Sequence, residues 1–422
     1  MKLNKKGWLN QYIEARANLL NTQTHELHLF SSYPDQSLYR LLQPTGIMYG
    51  QNIGTWDENL TTGWDEKEKM KVLLAECFIG SSLLFHEGKI DSKEELNKVI
   101  DEAIARIGEF YNSIFPEISI SRKTLLGKTR SNYEIAELIL EKRVQTGTKI
   151  EKDFWINFFR NSLLFLDIFI FSKWIHTRSD KVIIEFFKAE KASIRFAIAK
   201  IIAAAAHSNM NIEQEERMLF EYFLEGAALK GEKRKEALDV FERGLSVNEI
   251  DVHQSGSWIL KKYLLELAIL TIWSDKQVED QEHGFLKELC VRFELSDDDL
   301  ENSLIAIEGF VLGHWSQMDY LRNREEFERM SEDFISRLNR VVQKNRSVLV
   351  REMKANLQLV KLLDQANKSQ LSAEQYDKVR EGLLKAMKTI PTFVVTNLPQ
   401  SFLTLPVLLK ILPQDLVAEV LA

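Results

Sequence analysis

Phe154-Trp155-Ile156-Asn157-Phe158-Phe159-Arg160-Asn161-Ser162-Leu163-Leu164-Phe165-Leu166-Asp167-Ile168-Phe169-Ile170-Phe171-Ser172-Lys173-Trp174-Ile175 is apolar on nearly every side of a helix, with only Arg160, Asp167 and Lys173 charged. A membrane span would carry three charges, each costing roughly 2.5–3.5 kcal/mol near the bilayer centre. A helix apolar all round is otherwise the centre of a bundle. The segment therefore predicts a buried core helix inside an all-α protein. Composition points the same way: 7 prolines and 18 glycines in 422 residues are few for turn-rich β architecture.

Outward from this segment, residues 131–206 read as consecutive long helices. Residues 66–115 read as two helices split at His86-Glu87-Gly88-Lys89, the second opened by Asp91 with Glu94 three residues on and the unit ended by Pro116. Residues 1–65 are the least regular, with a short helix near 7–21 and a long loop punctuated by Tyr33-Pro34-Asp35, Pro44-Thr45-Gly46 and Gly50-Gln51-Asn52-Ile53-Gly54. The expected organisation is an irregular 1–65, a helical 66–185, a repeat-bearing 186–320, polar and partly basic helices over 321–388, and an apolar 389–422.

A formal charge of −7 and a pI near 5.8 give no global footprint for nucleic acid, and no DNA binding is expected. Cys77 and Cys290 alone cannot build a disulfide framework or a cysteine zinc site, which suits a reducing compartment. Lys2, Lys5 and Lys6 precede no apolar run or cleavage site, so the N-terminus predicts no export. Glycine-rich phosphate loops, Gly-x-Ser-x-Gly, His-Glu-x-x-His and Cys-x-x-Cys are all absent, and a non-enzymatic protein is expected.

The middle of the chain repeats itself. Ala206-His207-Ser208-Asn209-Met210-Asn211-Ile212-Glu213-Gln214-Glu215-Glu216 lies over Ile272-Trp273-Ser274-Asp275-Lys276-Gln277-Val278-Glu279-Asp280-Gln281-Glu282 at an offset of 66. Each copy is an apolar helix, a polar loop and an acidic restart that places negative charge at the positive end of the next helix. Over residues 190–315 this pattern resembles the TerB-like fold of tellurite-resistance-associated proteins, although that family shows Ala-Asp-Gly where this chain has His207-Ser208-Asn209 and Trp273-Ser274-Asp275. Asp275, Glu279, Asp280 and Glu282 offer hard oxygen ligands for Ca²⁺ or Mg²⁺, but without the alternating acids and central glycine of an EF-hand. Helix capping accounts for the same residues, and for Asn209, Glu213, Glu215 and Glu216 in the other copy. His25 and His28, three apart, and Asp280 with His283 lack the further ligands a metal site needs.

Between Arg337 and Lys361 there are seven Lys or Arg against one acid, Glu352, which reads either as a solvated face or as a surface for anionic lipid or RNA. Ser372-Ala373-Glu374-Gln375 is a capping box opening a helix through Val379, Leu383, Leu384 and Met387. From Thr389 to Leu409 there are then 21 residues with no ionisable side chain, and four of the seven prolines stand at 391, 399, 406 and 413. The length could just span a bilayer. Eleven aliphatic or aromatic residues favour insertion, while Asn397, Gln400, Ser401, the threonines and the prolines oppose it, so the balance is marginal. Prolines also interrupt the backbone ladder, which favours a broken segment or one packed against protein.

The tail resembles the proline-spaced membrane motif of the LETM family (leucine-zipper, EF-hand-containing transmembrane proteins) in Ile390, Pro391 and Phe393, then Leu398-Pro399, then Leu405, Pro406, Leu408, Leu409 and Lys410, then Leu412 and Pro413. The likeness covers residues 371–422. It implies a bacterial LETM-related, biofilm-associated type of protein in the cytoplasm, peripheral to or anchored in the inner membrane, with ties to ion homeostasis and ribosome association. In that family a ribosome-binding-like domain follows the motif, whereas this sequence stops at Ala422. The alternative is a soluble TerB-like scaffold that responds to divalent cations and whose tail folds back onto its own bundle. Whether the side chains of 390–413 are covered by the protein's own helices separates the two.

Overall fold

The computed structural model describes residues 2–16, 33–51, 61–124, 126–147, 154–177, 180–208, 214–250, 256–273, 280–315, 324–366, 370–387, 389–390, 402–413 and 415–421. Among them the architecture is all-α, as the composition and periodicity predict. The helices divide into two compact units, Met1–Phe285 and Leu286–Ala422, a coarser division than the five stretches read from sequence.

The first unit contains α1 (8–16), α2 (Pro34–Leu42), α3 (Glu66–Leu84), α4 (Lys93–Ile114), α5 (Asn132–Gly147), α6 (Phe154–Asn161), α7 (Leu164–Trp174), α8 (Lys181–Ala206), α9 (Gln214–Ala227), α10 (Gly231–Arg243) and α11 (Trp258–Ile272). The division falls within α12 (Asp280–Phe293). The second unit continues with α13 (Asp297–Gly313), α14 (Arg324–Lys344), α15 (Arg346–Ala355), α16 (Leu357–Ala366), α17 (Ala373–Met387), α18 (Leu405–Ile411) and α19 (Leu416–Leu421).

The decisive apolar segment is core, and every residue from Leu163 to Phe171 is buried. Each of its three charges has a partner: Arg160 meets Glu225 at 3.0 Å, Asp167 meets Arg143 at 2.5 Å and Lys173 meets Glu190 at 2.9 Å. The segment is two helices rather than one. At the break the Tyr263 hydroxyl donates to the Ser162 carbonyl at 3.0 Å. Gly50, in the left-handed region at φ 64°, lies so close that a Cβ there would sit 2.6 Å from the Ser162 nitrogen. Phe78 and Phe110 pack edge-on against Phe171 of α7, Phe110 tilted against Trp174, and Tyr111 edge-on against Phe78, the geometry their ring quadrupoles favour.

Local signals set most helix starts. Asp65 with Glu68 caps α3, and Ser372 with Gln375 forms the expected box at α17. The start of α4 differs by one residue: Ser92 and Glu95, not Asp91 and Glu94, make the reciprocal bonds. Ser92 is extended, so its hydroxyl reaches the Glu95 N–H, and Glu95 also accepts from the Asp91 N–H.

The described residues of the N-terminal region contribute to the core. Trp8, Leu9, Tyr12, Leu38, Leu42, Ile47, Met48 and Tyr49 are buried, and two 3₁₀ turns, Gln43–Thr45 and Ile47–Tyr49, carry the chain under α6 and α7. Glu137 of α5 accepts from the Gly7 and Leu9 N–H groups at 2.9 Å each, capping α1 from a distant helix. In the repeat, α8 and α11 pack against each other, while both polar loops, 209–213 and 274–279, lie outside the described residues.

Candidate functional site

The proline-spaced tail is the candidate site with the most sequence behind it. Thr404 is extended and Pro406 occupies the first turn of α18, where its missing N–H costs nothing. This seven-residue helix is one-sided: Leu405, Leu408 and Ile411 are buried, whereas Pro406, Leu409 and Lys410 are exposed. The buried stripe faces α14 and α17. Phe402 meets Phe334 edge-on at 5.3 Å, and the Asn339 side-chain amide donates to the Ile411 carbonyl at 3.0 Å. Ile390, Leu412 and Pro413 are also buried. Beyond Pro413, α19 packs Leu416 and Val420 on α15 and α16, and Arg346 reaches Asp415 at 2.7 Å and Glu419 at 2.6 Å. The buried stripe of the described tail is thus covered by its own unit, while Pro406 and Leu409 stay exposed. Pro391, Phe393, Leu398 and Pro399 lie outside the described residues.

The basic run in front of it is partly matched, three of its cations by acids remote in sequence and one by the adjacent Glu352. Arg337 pairs with Glu308 at 2.9 Å, Lys344 with Asp298 at 3.4 Å and with Glu301, Arg346 with the tail, and Arg351 with Glu352 at 3.1 Å. Four of its seven cations therefore have an anionic partner within the second unit, which lowers the local positive potential that an anionic surface would meet.

For the candidate cation ligands, Glu282 is buried in the first turn of α12. Asp275 and Glu279 lie outside the described residues, as do His25 and His28, and the position of the Asp280 side chain is likewise undescribed. Among the described residues no cluster of three or more His, Cys, Asp or Glu could hold a metal ion.

Three polar networks escape a motif search because their members come from separate helices. Glu266, fully buried on α11, accepts from the Tyr39 hydroxyl at 2.5 Å and the Tyr49 hydroxyl at 2.9 Å, with Lys262 at 3.9 Å. Asp167 accepts from Tyr111 at 2.7 Å and from Arg143 at 2.5 and 3.2 Å. Burial, together with the Asp167 charge, pushes the Tyr111 phenol well above its ordinary range. Near this pair the Lys191 ammonium donates to the Ile114 carbonyl at 3.1 Å and lies 3.8 Å from the centre of the Phe115 ring. Burial, reinforced by the Arg195 charge, pushes Lys191 down to about 8.

The third network is in the second unit, where Glu308 of α13 faces Arg337, Asp333 and Arg340 of α14. Burial outweighs the Arg337 charge and pushes this carboxyl up to about 7, from an ordinary 4.5. A carboxyl raised in the folded state binds its proton more tightly there than in the unfolded chain. Its stabilising contribution is complete below about pH 4.5 and is lost as pH rises through about 7. Glu308→Gln removes this titration. Between pH 4.5 and 8, wild type should lose about 2–3 kcal/mol more than Glu308→Gln in urea unfolding. Parallel pH profiles would contradict the assignment.

No protein family, curated protein or solved structure matches the chain, so its function has to be read from its own residues.

Proposed function

We propose that the chain is a non-enzymatic helical scaffold in which the proline-spaced tail is a structural element of the second unit. The observation that carries this reading is the covered stripe of Ile390, Phe402, Leu405, Leu408, Ile411 and Leu412, which commits most of the described tail's apolar side chains to its own unit and leaves Pro406 and Leu409 exposed. Three buried carboxylates of the first unit support the non-enzymatic part. Glu137, Asp167 and Glu266 are each held by two donors inside the fold, and so are committed to structure rather than poised for proton transfer.

A second reading keeps the LETM-like membrane association, with the ion-homeostasis and ribosome ties the resemblance implies. It draws on Pro391, Phe393, Leu398 and Pro399 within the uncharged run. Hydrogen exchange separates the two. The Val407 and Leu408 amides donate to the Thr404 carbonyl at 3.1 and 3.0 Å, and the Leu412 amide to Leu408 at 3.1 Å. The scaffold reading expects these amides to be protected in the full-length chain and unchanged by anionic vesicles. Protection that appears or shifts only with vesicles would favour the membrane reading and sink the scaffold.

A further inference from the structure

Residues 121–130, Ser121-Arg122-Lys123-Thr124-Leu125-Leu126-Gly127-Lys128-Thr129-Arg130, carry four cations and no acid in a protein of net charge −7. They sit between α4 and α5 in the first unit, far in sequence from the tail. The Lys123–Thr129 pairing is antiparallel, the Thr124 N–H donates to the Lys128 carbonyl at 2.9 Å, and the Gly127 N–H donates to the Thr124 carbonyl at 2.9 Å. Gly127 takes φ 79°, the left-handed conformation such a tight hairpin turn needs.

The base of the hairpin is pinned. Asn112 of α4 accepts from the Ile120 N–H at 2.8 Å and donates to its carbonyl at 3.3 Å, while Arg130 donates to the Ser121 and Lys123 carbonyls at 2.7 and 3.1 Å. Arg130 is thereby used in holding the hairpin together. Arg122, Lys123 and Lys128 are exposed, and none of the three has an ion-pair partner among the described residues, although Arg122 also donates to the Asn132 side-chain oxygen at 3.1 Å. This contrasts with the 337–361 run, whose cations are mostly matched. At the turn Leu126 is 97% exposed, the most exposed of the large apolar side chains among the described residues.

A hairpin that presents Leu126 at its turn, with cations lacking ion-pair partners on both flanks, has the chemistry to meet an anionic bilayer surface. The apolar side chain enters the headgroup boundary while the cations meet the negative leaflet. Single-stranded nucleic acid is less suited, because base stacking calls for aromatic rings and residues 121–130 contain none. We propose that this hairpin docks the protein on anionic phospholipid, with Leu126 as the inserting residue and Arg122, Lys123 and Lys128 as the headgroup contacts. This goes beyond the scaffold reading, and it is independent of the tail.

The test is sedimentation of the full-length protein with phosphatidylcholine vesicles, with and without phosphatidylserine. Binding is expected only to the serine-lipid vesicles, and it should weaken as salt screens the charges. Each cation near an anionic leaflet contributes a factor of about five, so Lys123→Gln with Lys128→Gln should lower partitioning about 30-fold. Leu126→Ser should lower it several-fold at unchanged charge. All three positions are exposed, and an unchanged melting temperature confirms that the fold is kept. Full binding by the double variant or by Leu126→Ser would overturn the proposal. So would wild type that leaves the vesicles unbound but retains a homopolymeric RNA in a manner lost in the double variant. Because these variants leave the tail intact, this outcome and the exchange behaviour of 405–412 can fail separately.

Discussion

Asp167→Ala is expected to destabilise the first unit by about 3–5 kcal/mol, the range for removing one partner of a buried ion pair. Asp167 is fully buried, and the Arg143 guanidinium that it binds through both oxygens is nearly so. Without the carboxylate, that cation would remain in the core beside Lys191 and Arg195, both already pushed down by burial and by neighbouring positive charge. Tyr111 would also lose its acceptor. The loss therefore comes mainly from an uncompensated charge, and a second substitution checks that directly. Arg143→Met added to Asp167→Ala should recover most of the stability in urea unfolding, because replacing a whole buried pair with apolar groups is often close to neutral. A single variant within about 1 kcal/mol of wild type, or a double variant as unstable as the single, would show that the pair does not hold α5 to α7 as described.

What could be read in advance depended on whether the deciding partner was near in sequence. Ser372 and Gln375 form their box as read because both halves lie within one turn. The start of α4 was legible only to within a residue, since Asp91–Glu94 and Ser92–Glu95 are overlapping candidates and the extended backbone of Ser92 chooses between them. The core position of Phe154–Ile175 followed from its charges, but the break at Ser162 did not, because Gly50 and Tyr263 impose it from about a hundred residues away on either side. Separation in sequence likewise hid the Tyr39–Glu266 and Tyr111–Asp167 networks. It also made Arg337, Lys344 and Arg346 look unmatched, when their acids stand at 298, 301, 308, 415 and 419. The 121–130 hairpin was missed for another reason: its cations, leucines and glycine were visible together, but only its exposure in the fold separates Leu126 from a core residue.

The tail is where composition and packing diverge most. By count, the uncharged run suits lipid or protein almost equally, and the outcome turns on whether a complementary apolar face exists. Phe334 and its neighbours on α14, together with α17, supply that face. Leu408 and Ile411 are both fully covered by it. Truncating a buried leucine or isoleucine to alanine costs about 2–5 kcal/mol, the spread reflecting how far the cavity can collapse. The two residues are close enough on one short helix for their losses not to add fully. The most direct measurement is urea unfolding of the full-length chain carrying Leu408→Ala and Ile411→Ala, followed by circular dichroism in the absence of lipid. The account expects a transition shifted to lower urea by a loss of about 4 kcal/mol or more. An unfolding curve that overlays wild type would contradict it, leaving the tail's apolar stripe with no part in the fold.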